Sequence, residues 1–413
     1  MFYGWWIVAS VFTAQMFMVG FVQYTFPFVL VAVKDEFAAS TTEANLAMTL
    51  SGAAGLVLSP LLGPLADRWS ARGLMIIGTV LLVSSLGLLS MTGSILHFVA
   101  VFALTISAAN IMLGPITGQA LVSRWFTAQR GKALGIAAVG TSVGGLFLPW
   151  LVSQWIDLWD WREALRVLAI VMAICVIPLV LFVVRDFPSQ KGLSPQGADD
   201  PDVQAALQAA IEDRTWTTPE ILKHRAFWVI GISFGLLAMS YSSFLSNVGL
   251  YVESLDMDAA VGPRLVFLVS LFGLIGKIGL GAATDRIGLR VGLWIALGLA
   301  AIGLALFSTE PGESTMGWAA ALLGLAAGGM LPVWAGLTAQ CFGTVSFGRA
   351  MGLMSPIIAL LVMPGFMLAG WSADTTGSFS TALQINLVAL AASAVLLLAL
   401  RSEAEIASPA GPE

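Results

Sequence analysis

Charge is scarce in this chain. Its 413 residues carry 19 Lys and Arg, 24 Asp and Glu and 2 His, so charged residues make up only 10% of the sequence. Soluble domains carry about 25%, and that class is excluded. The net charge of −5 is spread over short loops, which argues against a nucleic-acid partner or an acidic interaction arm. Cysteine is scarcer still. Cys175 and Cys341 lie far apart in or at the end of apolar segments, with no zinc or redox spacing, and read as structural filler. No nucleophile–base pair or metal-ligand cluster occurs, so no cofactor is expected and an enzyme is the least supported class. What the chain has instead is apolar surface: 58% hydrophobic residues, a mean hydropathy of +0.90, 43 Gly and 14 Trp. The lipid bilayer is the expected solvent.

Twelve apolar segments follow one another, at 4–33, 44–66, 74–92, 95–123, 133–157, 162–184, 226–253, 261–283, 290–308, 314–342, 350–371 and 378–400. Most reach the ~20 residues that a helix needs to cross ~30 Å of hydrocarbon. The first is too long for a cleaved leader and lacks a basic start, so it is expected to remain as a helix. One long polar stretch, Arg185 to Arg225, divides the series into an N-terminal six-helix bundle (1–184), a linker (185–225), a C-terminal six-helix bundle (226–401) and a polar tail (402–413) expected to be disordered. Within the linker, Pro201 after Asp200 predicts a helix start, and Val203, Leu207 and Ile211 predict a short amphipathic helix over 199–213.

Orientation follows from the basic residues. One side of the predicted bilayer collects fourteen of them, from Arg68 and Arg72 through Arg124, Arg130, Lys132, Arg185, Lys191, Arg214, Lys223, Arg225, Arg286, Arg290 and Arg349 to Arg401. The other side has only Lys34, Arg162, Arg166 and Arg264. Both termini and the linker are therefore expected in the cytoplasm, and the protein in the plasma (inner) membrane as a monomer. Trp150, Trp155, Trp159 and Trp161 cluster at the far interface and read as belt residues.

The chain also repeats itself. Gly63-Pro64-Leu65-Ala66-Asp67-Arg68-Trp69-Ser70-Ala71-Arg72 is matched by Gly281-Ala282-Ala283-Thr284-Asp285-Arg286-Ile287-Gly288-Leu289-Arg290 at an offset of 218 residues. Gly131-Lys132-Ala133-Leu134-Gly135 is matched by Gly348-Arg349-Ala350-Met351-Gly352 at an offset of 217, as Pro115 is by Pro332 and Asp157 by Asp374. The fold class is thus an all-α membrane protein of twelve transmembrane helices in two pseudo-symmetric six-helix bundles.

With these features the chain resembles the major facilitator superfamily of transporters, whose loop between helices 2 and 3, echoed between helices 8 and 9, the Asp-Arg sequences are similar to. The resemblance covers nearly the whole chain. Ser70 departs from it, standing where that loop usually has Gly. Asp67 and Asp285 each end a helix, where a carboxylate faces the negative end of the helix dipole and needs a partner elsewhere. The positive helix starts near Lys132 and Arg349 begin in the same plane, so a cytoplasmic gate is expected from Asp67, Arg68, Arg72, Asp285, Arg286, Arg290, Lys132 and Arg349. A role in topology and assembly alone is the other reading of the arginines.

Inside the predicted membrane one ionisable residue stands out. Lys277 lies eight residues, or ~12 Å of helical rise, before Asp285, more than its stem comfortably spans by snorkelling. Its counterpart in the other repeat is Ser59, so the shared fold does not require the charge. Ser270, Gly273 and Gly281 share its helical face. No Asp or Glu lies deep in any predicted span, and a substrate carboxylate would supply the complementary charge.

Tyr3-Gly4-Trp5-Trp6-Ile7-Val8, Gly20-Phe21-Val22-Gln23-Tyr24-Thr25-Phe26-Pro27, Arg124-Trp125-Phe126 and Arg130-Gly131-Lys132-Ala133-Leu134-Gly135-Ile136 are similar to the branch of monocarboxylate porters and oxalate:formate antiporters. That resemblance implies that Lys277, where arginine is usual, binds the carboxylate. Gly273 and Phe28 replace an Asp and a Lys of the proton-coupled porters, so their proton route does not carry over. The eleventh segment lacks the lysine of an oxalate carrier, and one central positive charge favours a monoanion.

Gln15, Tyr24, Asn110, Ser243, Asn247 and Trp334 are further candidates for substrate contact, with Gln23, Thr141 and the stripe Ser242, Ser243, Ser246 and Asn247 beside them; each alone reads more readily as interhelical glue. Gly114-x-x-x-Gly118 and Gly140-x-x-x-Gly144 read as packing faces. The expectation is a secondary transporter of a small organic anion, a monocarboxylate, working by alternating access with proton symport or anion exchange. An efflux carrier for hydrophobic compounds and a non-transporting receptor on the same fold are the alternatives.

Overall fold

The computed structural model describes residues 2–68, 70–197 and 215–400, without the side chains of 60–68, 281, 285 and 344. The predicted 199–213 helix and the 402–413 tail lie outside the described residues. So do the side chains of Asp67, Arg68 and Asp285. Among the described residues the secondary structure is helical, with one isolated bridge between Phe126 and Gln196.

Twelve long helices follow the predicted order. They are α1 (Gly4–Glu36), α2 (Thr41–Arg68), α3 (Ala71–Leu89), α4 (Ile95–Trp125), α5 (Arg130–Leu158), α6 (Trp161–Val183), α7 (Arg225–Ser246, resuming as Val248–Ser254), α8 (Val261–Ile287), α9 (Leu289–Ser308), α10 (Glu313–Gly343), α11 (Val345–Thr376) and α12 (Ser380–Leu398). Among the described residues, 11 helices are long and apolar enough to cross a membrane; α2, the remaining one, is 28 residues long. Helix starts are capped as their sequences dictate. Ser70, Ser94 and Asp160 each accept a hydrogen bond from the backbone N–H three residues on, satisfying a donor that the first turn leaves open. No loop separates α10 from α11. Gly343 alone, at φ 71° and ψ 169°, turns the chain between them.

Several helices are interrupted. A π-helical turn occupies Gly20–Thr25 of α1, Phe102–Ile106 of α4 and Leu179–Val183 of α6. In α4 the helix breaks again at Gly114, because Pro115 has no N–H to continue it; the Thr117 hydroxyl donates to the Ile111 carbonyl instead, at 3.0 Å.

Backbone contacts group the chain into two compact units, Met1–Ala205 with Leu245–Phe267, and Ala206–Phe244 with Leu268–Glu413. In the first unit α1 packs on α5 as the glycine spacing predicts: a β-carbon on Gly140 would strike the Phe12 carbonyl, and one on Gly144 the Met16 carbonyl. Phe21, Phe26, Phe98 and Phe102 fill its interior, with the Phe26 and Phe102 rings 4.0 Å apart. Trp161 belongs to this core. It is buried against Phe98 and its indole donates to Glu36, which corrects its assignment to an interfacial belt; Trp150 and Trp159 are exposed. The distal end of α7 joins the same unit, where Lys34 meets both carboxylate oxygens of Glu253 at 3.0 Å and the Asn45 amide donates to the Asn247 side chain at 2.7 Å.

The start of the linker is also part of the first unit. Gln196 pairs with the α4–α5 loop through its backbone, donating to Trp125 O and accepting from Thr127 and Ala128, while the Trp125 indole donates to Arg185 O. Buried Asp186 accepts from the Arg72 N–H at 3.1 Å and lies 3.8 Å from Arg124. In the second unit Trp216 is held by the α10–α11 junction: its N–H donates to Ser346, its carbonyl accepts from Arg349, and its ring lies edge-on to Phe342.

Candidate substrate site around Lys277

Lys277 is half-buried on α8, and α10 presses directly against its backbone. The contact is made by glycine. A β-carbon on Gly328 would collide with the Gly273 carbonyl and lie 2.8 Å from the Lys277 amide nitrogen; one on Gly324 would strike Val269 O, and one on Gly276 would strike Leu325 O. Gly273 itself faces the Gly324 carbonyl at ordinary contact distance, 3.5 Å. Main chain therefore touches main chain along two turns, which holds the root of the Lys277 side chain at a fixed depth. The sequence carried a signal for this seam, Gly324-x-x-x-Gly328, beside the two glycine pairs singled out from it.

On the same face, two turns before Lys277, sits Ser270. It is 1% exposed and its hydroxyl has no hydrogen-bond partner among the described residues. Other hydroxyls in these helices fold back onto the carbonyl four residues earlier: Thr79 to Met75, Ser85 to Leu81, Thr105 to Val101, Ser240 to Leu236 and Thr338 to Trp334.

The other candidates fall in different settings. Ser243 is buried and donates to Gly365 O at 2.7 Å, joining α7 to α11. Asn247, one turn on, is equally buried and bonds to Asn45 of α2. Both serve as interhelical bonds, and the two neighbours on one stripe point to different helices. Trp334 is stacked on Phe234 at 4.4 Å and its indole donates to the Met354 sulfur at 3.4 Å. Gln15 is 1% exposed beside Gly118, with neither end of its carboxamide bonded among the described residues. Tyr24 is half-buried within the α1 π turn, and Asn110 is exposed just before the α4 break.

Among the described side chains of the predicted gate, Arg72, Arg290, Lys132 and Arg349 have the following contacts. Arg72 donates to Leu181 O near the end of α6 at 2.5 Å, and Arg290 to Leu397 O near the end of α12 at 3.4 Å. Each arginine thus meets the negative end of a helix, an electrostatic cap repeated in both halves. Lys132 lies 5.9 Å from the Trp5 ring centre, and Arg349 holds Trp216 as above; Arg286 is exposed. The sequence carried no signal for the Arg72–Asp186, Lys34–Glu253 and Asn45–Asn247 contacts, each between residues more than a hundred positions apart in the chain.

Twelve long helices, several of them interrupted, a duplicated loop and a cation deep in a predicted span describe a transporter. The Major Facilitator Superfamily profile matches residues 12–320. The chain belongs to the major facilitator superfamily. As a member of that superfamily it is a multi-pass membrane transporter, and its relatives are transporters too. It is 26% identical over 350 residues to an oxalate:formate antiporter of Oxalobacter formigenes, covering 84% of this chain and 80% of that protein. It is also 26% identical over 400 residues to monocarboxylate transporter 11 of Mus musculus, covering 92% and 83%. A fujikurins efflux protein of Gibberella fujikuroi is 25% identical over 309 residues, covering 73% and 61%. Among solved structures, a bacterial homolog of the human lysosomal transporter Spinster, inward-facing and unoccupied, superposes with a TM-score of 0.72 at 14% identity, covering 99% of both chains; this facilitator shares its fold.

Proposed function

We propose that this facilitator is a secondary active transporter of a small organic anion, a monocarboxylate, and that Lys277 holds the carboxylate. The observation that carries the reading is the position of Lys277: the ammonium belongs to a helix deep in a predicted span, and its repeat counterpart is Ser59. Placing a lysine at a helix centre costs about 2.5–3.5 kcal/mol. An ammonium and a carboxylate 4 Å apart regain about 4 kcal/mol at an effective dielectric of 20. The two magnitudes are similar, so an anionic cargo offsets the cost that the position imposes. The similarity to an oxalate:formate antiporter and a monocarboxylate transporter supports the same chemistry.

In this reading the six-helix halves, 1–184 and 226–401, alternate access to the site, with proton symport or anion exchange as the coupling. The loops at Asp67, Arg68 and Arg72 and at Asp285, Arg286 and Arg290 serve the cytoplasmic gate with the helix starts at Lys132 and Arg349. The distribution of basic residues supports cytoplasmic termini and an inner-membrane location. Tyr24, Asn110, Gln15 and Trp334 are the further candidates for contact along the route.

The test is a thermal-shift screen of the purified protein with mono- and dicarboxylates, followed by pH-jump uptake in proteoliposomes for each hit. Lys277→Ala should remove both binding and uptake while the protein remains folded. Full transport by that variant would sink the assignment. An efflux carrier for hydrophobic compounds is the second reading, favoured by the similarity to the fujikurins efflux protein; stabilisation by neutral apolar compounds and by no carboxylate would select it.

A further inference from the structure

We infer that Ser270 is a second substrate contact on α8, taking a hydrogen-bonding oxygen of the cargo other than those of its carboxylate. The inference rests on Lys277 as the carboxylate site. Three observations carry it.

First, the hydroxyl is one of three, with those of Ser153 and Ser246, that are buried without a partner among the described residues. Ser270 is 1% exposed and unpartnered among the described residues, although a carbonyl four residues back is the ordinary resort of a helical serine and is used by Thr79, Ser85, Thr105, Ser240 and Thr338. A buried polar group without a partner is destabilising, which calls for an occupant.

Second, the spacing is specific. Seven residues return a helix to the same face, so Ser270 and Lys277 stand one above the other about 10 Å apart. Helical side chains lean toward the helix N-terminus, and Ser270 is on that side of Lys277. A lysine stem spans about 6 Å, which leaves a gap of at least about 4 Å between ammonium and hydroxyl. A cargo whose carboxylate meets the ammonium can present a second oxygen to Ser270 along the same face, each through a hydrogen bond of about 3 Å. Gly273 lies between the two residues on this face and adds no side chain of its own; its β-position faces the Gly324 carbonyl of α10 at 3.5 Å.

Third, Ser270 breaks the internal symmetry of the chain as Lys277 does. At the offset of 218 residues its counterpart is Gly52, so the fold is built in its other half without a hydroxyl there. The polar pair Ser270 and Lys277 belongs to one repeat only, whereas the arginine caps on α6 and α12 belong to both. What is shared serves the fold, and what differs is available for recognition.

The experiment is a positional series on the full-length purified protein: butanoate, 2-hydroxybutanoate, 3-hydroxybutanoate and 4-hydroxybutanoate, each titrated by thermal shift against the unaltered protein, Ser270→Ala, Ser270→Gly and Lys277→Ala. At least one of the three hydroxy acids should bind about fivefold more tightly than butanoate, the worth of one hydrogen bond. Ser270→Ala should erase that preference and keep the response to butanoate. Ser270→Gly, the residue that the twin helix already carries, gives the same readout should the alanine variant fail to fold. Lys277→Ala should lose the response to all four acids. No preference for any hydroxy acid in the unaltered protein, as expected if the hydroxyl only binds a buried water, overturns the role of Ser270. So does a preference that survives both serine substitutions. A response to butanoate that survives Lys277→Ala overturns the carboxylate site itself, whatever Ser270 does.

Discussion

Between α2 and α4 the contact is made by side chains. Ser107 donates to the Ser51 carbonyl at 2.7 Å and its hydroxyl lies 2.8 Å from that of Ser51. Between α8 and α10, at the positions related by the internal repeat, Gly324 stands for Ser107 and Val269 for Ser51, and a β-carbon on the glycine has no room against the Val269 carbonyl. One duplicated scaffold thus uses two kinds of seam. The first fixes two helices by a directional bond that a small shift can break and remake. The second brings main chain to main chain, so the helices shift as a pair or separate altogether. The second seam is where Lys277 stands; its counterpart beside the first, Ser59, is exposed and uncharged. The rigid seam carries the charge.

The comparison is most easily broken through the charge. Lys277→Ala should lower uptake of a carboxylate at least about a hundredfold, since losing even ~3 kcal/mol of ion pairing has that effect. Adding Ser59→Lys to Lys277→Ser, which moves the ammonium to the other seam, should restore none of it; recovered uptake in proteoliposomes would show that the two halves are interchangeable. Next in size is Gly328→Leu. Overpacking of ~1–3 kcal/mol at the Lys277 amide should lower uptake about tenfold and depress the thermal midpoint, whereas Ile111→Leu, at the matching place in α4, should stay within about twofold. Equal losses from both would mean that the glycine seam has no special bearing on Lys277.

Smaller effects are expected where the halves differ in their loops. Asp186→Ala removes a buried acceptor that holds Arg72 and faces Arg124, and should cost ~1–3 kcal/mol of stability in a denaturation series; Arg290→Ala, whose bond to Leu397 O is 3.4 Å long, should cost less than ~1 kcal/mol. Ser107→Ala should be mildest. Interhelical hydrogen bonds in membranes average ~0.6 kcal/mol, so a small fall in thermal midpoint with unchanged uptake is the expected outcome.

Much of the fold was legible because bilayer length and duplication constrain it twice. The twelve segments, the Gly140–Gly144 packing face and the asymmetry of Lys277 all follow from spacing alone. Partners were not legible. Helical periodicity puts Ser243 and Asn247 on one stripe, but only the arrangement of neighbours sends one to Gly365 and the other to Asn45. Trp161 looked interfacial from its tryptophan-rich neighbourhood, and is core because Phe98 and Glu36 come to it from other helices. The arginines at 72 and 290 read as gate or topology, and their helix-end carbonyls lie 109 and 107 residues on. A residue type and a period specify a face, and the face does not specify its partner.

Gly343 has a practical consequence for anyone who labels or tags this protein. With α10 passing into α11 through a single residue at positive φ, there is no slack at that turn to absorb an insertion, and an ordinary side chain there is strained. An epitope or fluorescent domain placed at 343 would pull on the helix that carries Gly328. The α9–α10 connection, where Glu310 to Gly312 run outside any helix, is the safer port for a reporter.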